Sequence, residues 1–117
     1  MALLLYEVMI NYKQMNIFQS LFGGGPTVDL KSVITEGAFL VDVRTPGEFA
    51  QGHVKGSVNI PLDTVASQLP KFKNKKNIVV FCRSGARSSQ AKSILNQKGF
   101  TNVVNVGTWN HVNQFVK

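Results

Sequence analysis

The single cysteine of this 117-residue chain lies in a short basic loop, and that combination could do nucleophilic chemistry. The loop reads Cys82-Arg83-Ser84-Gly85-Ala86-Arg87-Ser88, so two arginines supply fixed positive charge beside the thiol. A tight turn that leads into a helix directs backbone N–H groups inward and adds the positive end of the helix dipole. Such surroundings lower a cysteine pKa from about 8.5 to about 3.5–7.5. The loop therefore predicts a thiolate at neutral pH.

Two elements must hold this loop in place. The apolar, β-branched run Ile78–Phe81 predicts a buried strand that ends at Cys82, and apolar residues at helical spacing predict a helix over 86–98. Gly85 would supply a positive φ, or a close backbone approach that a side chain would block. The alternative is that Cys82 is only a small buried hydrophobe, as many lone cysteines are.

Two charged residues, Asp42 and Arg44, lie at the carboxyl end of another predicted strand, residues 39–43. Thr45-Pro46-Gly47-Glu48 has the form of a capping box with proline at the first helical position, so a short helix should start directly after that strand. Asp42 and Arg44 are thus expected on the sheet edge where Cys82 emerges and where ligands of α/β sheets bind. They either form a wall of the site or tie loops together through charge-assisted hydrogen bonds.

Neither histidine lies in a motif that fixes a catalytic role. His53 could take the thiol proton in a cysteine–histidine dyad, or it could belong to a structural turn with Gly52. His111 is expected at the surface. With one cysteine and no Cys/His cluster at zinc spacing, we expect no internal disulfide and no metal.

Two blocks of the chain resemble the rhodanese-like sulfurtransferase family. Residues 82–88 look like the active-site loop of that family, and residues 42–49 with 52–61 look like its upstream signature, in the expected order. The resemblance covers about residues 27–108. It implies a catalytic role for Cys82, no cofactor, a supporting scaffold role for Asp42 and Arg44, and a substrate- and persulfide-binding loop made of Arg83, Ser84, Gly85, Ala86, Arg87 and Ser88.

The chain departs from the family pattern after its last predicted strand, residues 103–106. Family members commonly have a glycine pair there, in a loop facing the active site, whereas this chain has Gly107 followed by Thr108. The shape of the pocket, and hence the preferred sulfur donor, stays open. Trp109 either walls that pocket or anchors the C-terminal segment, and we favour the anchor.

Strands that alternate with helices over about 90 residues predict an α/β fold. We expect a small, mostly parallel central sheet of about four to five strands with helices on both faces, similar to rhodanese-like domains. Gly23-Gly24-Gly25-Pro26 predicts a break, so residues 1–25 are interpreted as a leader segment with a glycine-rich linker and residues 26–117 as a single domain.

Finer patterns predict individual helix boundaries. Thr27 should cap a first helix that carries Asp29 in its first turn and ends at Gly37. A second helix should run over 61–69 and be ended by Pro70.

The composition limits the partners. Thirteen Lys and Arg against six Asp and Glu give a net charge of +7, but the densest group, residues 71–76, lacks the interleaved aromatics of a nucleic-acid surface. We expect this charge to steer small anions or an acidic partner protein. No run approaches the ~20 apolar residues of a membrane span, and no convincing signal peptide begins the chain. We therefore predict a cytoplasmic protein with no nucleic-acid or membrane partner, and a periplasmic location is the less favoured alternative. We also expect a monomer.

The expected reaction is sulfur transfer. A thiolate at Cys82 would take the outer sulfur of thiosulfate or a similar small anionic donor, and cyanide or a thiol would remove it from the persulfide. One alternative is a persulfide carrier or sensor that acts on an acceptor protein and turns over poorly alone. Another is cysteine phosphatase chemistry, which is disfavoured because phosphatase loops resemble Cys, five residues, Arg, whereas four residues separate Cys82 from Arg87.

Overall fold

The computed structural model describes residues 29–116 and shows an α/β fold around four parallel strands in the order β2-β1-β3-β4. Helices pack on both faces of this sheet, so the predicted fold class is confirmed. In chain order, the elements are α1 (Leu30–Thr35), β1 (Phe39–Asp42), α2 (Pro46–Gln51), β2 (Val58–Asn59), two 3₁₀ helices (Leu62–Ser67 and Leu69–Phe72), β3 (Ile78–Cys82), α3 (Ala86–Gln97), β4 (Val103–Thr108) and α4 (Trp109–Asn113).

The strand order brings the polar strand ends together. β1 lies beside β3, with Asp42 opposite Phe81, and β3 lies beside β4, with Cys82 opposite Thr108. Because all these pairs are parallel, the three carboxyl ends meet at one edge of the sheet. That edge is where open α/β sheets bind their ligands.

The core lies on both sides of β3, all of whose residues are buried. Val80 and Cys82 face one side and pack with Ala91 and Leu95 of α3, whereas the alternate residues Val79 and Phe81 belong to the opposite cluster, with Leu30 of α1 and Val112 of α4. A strand buried on both faces must be apolar throughout, which explains its uninterrupted apolar sequence. Each fully buried aliphatic or aromatic side chain contributes about 1.5–3 kcal/mol, so β3 is a rigid base for the loop that follows.

Several local sequence patterns correctly predicted the ends of helices. Thr45 caps α2 by accepting a hydrogen bond from the Glu48 amide at 3.2 Å, and the Glu48 carboxylate accepts one from the Thr45 amide at 3.0 Å. Gly37 and Gly99 follow the ends of α1 and α3 with positive φ angles, as helix-terminating glycines do.

The predicted cap of the first helix was wrong. Asp29 is the N-cap itself and accepts a hydrogen bond from the Ser32 amide at 3.3 Å, so it is not a first-turn residue. An aspartate side chain caps a helix at least as well as a threonine does, so Asp29 can fill this role. Thr27, the predicted cap, lies outside the described residues, as does the predicted leader and linker segment 1–25.

Two other boundaries also differ from prediction. Residues 61–69 do not form one helix, and Pro70 lies in the first turn of the second 3₁₀ helix instead of ending the first. The fixed φ of proline suits the start of a helical turn, which explains this position. Gly107 and Thr108 belong to β4 and not to a loop, because they pair with Phe81 and Cys82 after a register shift.

Within residues 29–116, no helix is long and apolar enough to cross a membrane.

Candidate active site

The loop between β3 and α3 turns at Gly85. Its φ of 101° lies in the left-handed region, which a side chain rarely adopts. A Cβ at this position would also lie 3.4 Å from the Gly107 Cα of β4. The positive φ is therefore what favours glycine here, whereas a Cβ would meet the neighbouring strand at ordinary van der Waals distance.

The Cys82 sulfur lies under this loop among hydrogen-bond donors. The Gly85 amide donates to Sγ at 2.9 Å, and the Ser88 Oγ lies 3.5 Å from it. Cys82 is fully buried. Burial raises the pKa of the thiol, but hydrogen bonds from the Ser88 hydroxyl and from the amides of Ser88, Gly85 and Ser84 outweigh it, so the pKa lies below the ordinary value of 9.0.

The Ser88 hydroxyl suits both protonation states of the sulfur. When Cys82 is a thiol, Sγ donates to Ser88 Oγ, and that hydroxyl donates to the Gly85 carbonyl at 3.1 Å. Because a hydroxyl hydrogen rotates, the same group can turn and donate to the thiolate. The sequence analysis expected backbone amides, the helix dipole and the two arginines to lower the pKa, and it gave no such part to the Ser88 hydroxyl, which supplies the largest of the lowering contributions.

Arg87 is tied to Glu48 of α2. Its Nη1 and Nη2 donate to the two carboxylate oxygens at 2.7 and 3.1 Å. Hydrogen bonds from Arg87 first, and then from the Thr45 amide, lower the pKa of Glu48 to about 2. Sequence reasoning had assigned Glu48 only to the capping box. The signal that could have placed it in the site is its position just after β1, at the same sheet edge as the loop.

Asp42 and Arg44 form a buried ion pair. The Arg44 guanidinium donates to both Asp42 carboxylate oxygens at 2.7–3.0 Å and to the Gly52 carbonyl at 2.7 Å. Asn59 donates to the backbone carbonyls of both residues. These contacts tie together the ends of β1, α2 and β2, which favours the scaffold interpretation. Arg44 also stacks over Trp109, 4.6 Å from the ring centroid, so the pair reaches the cavity described next.

A cavity of about 460 Å³ lies beside the loop. Its lining includes Arg44, Glu48, Gln51, Arg83, Trp109 and Asn110. Trp109 therefore has both functions considered from the sequence, because it walls this cavity and also packs in the cluster of Val112 and Val116. Gln51 and Asn110 carry no sequence signal that could have placed them here.

The other loop residues and the histidines lie as follows. Arg83, Ser84 and Ala86 are exposed, whereas Ser88 is buried. His53 stacks on Phe49, and its Nδ1 lies 2.9 Å from the Phe49 carbonyl, a local contact within one turn. His111 is exposed. In the part of the chain that the structure describes, no group of three His, Cys, Asp or Glu could hold a metal ion.

Comparison with known proteins agrees with this geometry. Residues 27–110 match the model of the rhodanese-like domain. The thiosulfate sulfurtransferase PspE of Escherichia coli is 42% identical over 69 residues, which cover 57% of this chain and 66% of PspE. YrkF of Bacillus subtilis, whose name describes a sulfur carrier protein, is 34% identical over 67 residues, 57% of this chain and 36% of YrkF. The chain thus spans just under two thirds of the first of these relatives and about a third of the second.

Solved structures extend the match to the fold. A rhodanese with anions from E. coli superposes with a TM-score of 0.58 at 38% identity and covers 63% of this chain and 89% of its own. The family model spans well over half of the sequence, including both blocks that resembled the family. The chain belongs to the rhodanese-like domain family.

Proposed function

We propose that this chain is a sulfurtransferase that moves sulfane sulfur from thiosulfate or a similar donor to a thiophilic acceptor through a persulfide on Cys82. One observation carries the proposal. The sulfur lies 2.9 Å from the Gly85 amide and 3.5 Å from the Ser88 hydroxyl, in a loop that lowers its pKa. The relatives named as a thiosulfate sulfurtransferase and as a sulfur carrier support the same chemistry.

The first half-reaction forms the persulfide. The Cys82 thiolate attacks the outer sulfur of thiosulfate, a bond forms between Sγ and that sulfur, and the sulfur–sulfur bond of the donor breaks to release sulfite with its electron pair. The terminal sulfur of the persulfide is anionic. Donors already directed at the thiolate are suited to stabilise this charge without reorganisation.

In the second half-reaction, cyanide or a thiolate attacks the terminal sulfur, and the electron pair of the broken bond returns to Sγ. The two half-reactions share a covalent intermediate, so the kinetics should be ping-pong. Thiocyanate formation from thiosulfate and cyanide tests this function. We expect parallel double-reciprocal lines for the wild type and less than a tenth of its rate for Cys82→Ser, because a hydroxyl is a poor nucleophile and cannot hold sulfane sulfur. A Cys82→Ser rate above a tenth would refute the mechanism.

The second candidate is a persulfide carrier that acts on an acceptor protein. Similarity to YrkF favours it, because the name of that relative describes a sulfur carrier protein. A carrier would acquire sulfur and retain Cys82 dependence, but it would form thiocyanate slowly and transfer sulfur quickly to its partner. Steady-state turnover compared with single-turnover loading distinguishes the two functions.

A further inference from the structure

Five exposed lysines lie at the edge of the sheet where the strands begin, opposite the edge where Cys82 ends β3. Four of them belong to the stretch 71–76, which leads into β3, and the fifth is the C-cap of α3. We call this surface the basic edge, and it consists of Lys71, Lys73, Lys75, Lys76 and Lys98.

Side-chain contacts hold the two segments of the basic edge together. The buried ring of Phe72 packs against Phe39 of β1 and against Phe100, which follows α3, with ring centroids 5.7 and 6.1 Å apart. The Asn102 side-chain amide donates to two backbone carbonyls of the stretch 71–76, at 2.6 and 3.0 Å. The two segments are therefore neighbours, and their lysines form one surface.

Most of the positive charge of the basic edge is unmatched. Lys76 pairs with Glu36 at 3.2 Å, and both of these side chains are exposed. Lys75 lies over the Phe39 ring, 4.6 Å from its centroid, a contact that leaves its charge in place. The other three lysines form no ion pair with any residue in the part of the chain that the structure describes. A ligand with several carboxylates would thus meet at least four unneutralised positive charges.

These charges lie too far from the sulfur to act on it. β3 begins at Ile78, just after the stretch 71–76, and ends at Cys82, so about 13 Å separate the two edges at about 3.3 Å per residue. At physiological ionic strength, exposed charges are largely screened beyond about 8 Å. The basic edge therefore contributes little to the attraction of small anions toward the sulfur, and its charge acts on whatever binds at that edge.

We propose that the basic edge binds an acidic segment of a partner protein and holds that partner without covering Cys82. The inference goes beyond the proposed sulfurtransferase function and does not depend on it. Lysines suit this occupant because each ammonium group is a point charge on a flexible stem, which can follow the separate carboxylates of a polypeptide. Single exposed ion pairs contribute little, so the occupant must engage several lysines at once.

Two other anionic partners fit this surface less well. Single-stranded nucleic acid binds through aromatic side chains on which its bases stack, whereas the rings at this edge pack against one another. A peripheral membrane surface inserts large apolar side chains beside its lysines. In the described residues, the exposed large apolar side chains are Val58 and Phe115, and neither belongs to the two segments of the basic edge.

Binding of an acidic peptide tests the proposal. Fluorescein-labelled decaglutamate is titrated with the full-length protein and followed by fluorescence anisotropy, with labelled decaglutamine as the uncharged control. We expect the protein to bind decaglutamate but not decaglutamine. The affinity should fall as salt is added, because the contacts join exposed charges.

Paired variants locate the binding. Lys73→Gln/Lys98→Gln removes one charge from each segment of the basic edge and should raise the Kd about three- to tenfold, the range for loss of two exposed ion pairs. Arg83→Gln/Lys92→Gln removes the same charge from the opposite edge and from the middle of α3, and should change the Kd by less than about twofold. Lys73→Arg/Lys98→Arg keeps the charge and should bind as the wild type does.

Carbodiimide cross-linking locates the peptide without any substitution. The reagent joins a carboxylate of the peptide to a lysine amine as an amide and takes up the elements of water in the process. Only lysines that touch the peptide react efficiently. We expect cross-links to the stretch 71–76 and to Lys98, and none to Lys31 or Lys92.

Four results would overturn the proposal. Failure of the wild type to bind decaglutamate at low salt is the first. An equal loss of affinity in the two glutamine variants, or cross-links spread over all lysines, would show that net charge alone attracts the peptide. Tighter binding of an oligothymidylate of the same length, with the same dependence on Lys73 and Lys98, would assign the basic edge to nucleic acid. Co-sedimentation with phosphatidylserine vesicles that decaglutamate does not displace, and that the basic-edge variant loses, would assign it to a membrane.

Discussion

Replacing Ser88 by alanine should raise the pKa of Cys82. The Ser88 hydroxyl is the closest side-chain partner of the sulfur, 3.5 Å from Sγ, and it supplies the largest of the contributions that oppose burial. Alanine keeps the helix and removes the one donor that can rotate toward the thiolate. The buried sulfur then retains only backbone donors, so its charged form becomes less favourable.

The size of the change follows from the geometry. A well-formed hydrogen bond to a charged group contributes about 1.5–3 kcal/mol. The separation of 3.5 Å is ordinary for a bond to sulfur, but the Gly85 carbonyl competes for the same hydroxyl hydrogen at 3.1 Å. We therefore expect about 1 kcal/mol, which at 1.36 kcal/mol per unit corresponds to an increase of about 0.7 in the pKa.

The assay uses the single cysteine of the chain. Thiolate absorbance in the ultraviolet, followed against pH, reports Cys82 alone, and the dependence of iodoacetamide alkylation on pH gives a second measure. Ser89→Ala is the matched control, because Ser89 is the next residue of α3 and is exposed. Equal midpoints for the wild type and Ser88→Ala would refute the view that this hydroxyl stabilises the thiolate, as would an equal shift in Ser89→Ala.

Three further substitutions test the surroundings of the loop. The pKa of Glu48 is depressed from 4.5 to about 2, so its ionised form stabilises the fold fully above about pH 4.5 and progressively less as the pH falls toward 2. Glu48→Gln should thus lower the free energy of unfolding near neutral pH, measured by urea titration. The fall of that free energy between about pH 5 and 3 should also become less steep, and an unchanged fall would count against the ion pair of Glu48 with Arg87. Gly85→Ala should cost about 1–3 kcal/mol, because φ is 101° there, and sulfur loading should slow; normal loading and stability would show that the turn tolerates a side chain. Asn59→Ala removes two hydrogen bonds, at 3.0 and 2.9 Å, to backbone carbonyls at the end of β1 and should lower the free energy of unfolding by about 1–3 kcal/mol in the same titration. An unchanged free energy of unfolding would show that water replaces the amide.

The parts of the fold that could be predicted are those with local signals. The capping box at Thr45, the buried run of β3 and the glycine after α3 each specify their structure within a few residues. The end of β4, in contrast, was predicted wrongly because it depends on a distant partner. Thr108 is extended because β3 offers hydrogen bonds to it across the sheet, and nothing in its own neighbourhood encodes that pairing.

The candidate site likewise has parts that the sequence predicts and parts that depend on the strand order. Cys82 and its loop are contiguous in sequence, so the composition of that stretch alone predicted a reactive thiolate. Glu48 reaches Arg87 from 39 positions away, and Trp109 meets Arg44 only because α4 folds back over the end of β1. Such contacts require the strand order, which periodicity and composition do not determine. The cavity beside the loop could therefore be found only in three dimensions.

The measurement that tests the central claim most directly is the intact mass of the purified protein before and after thiosulfate, and again after cyanide. We predict a gain of one sulfur atom on the wild type, its loss on addition of cyanide, and no gain on Cys82→Ser. Localising the added sulfur to the peptide that contains residue 82 completes the assignment. A gain of equal size on Cys82→Ser, or no gain on the wild type with thiosulfate or any other persulfide donor, would contradict the account.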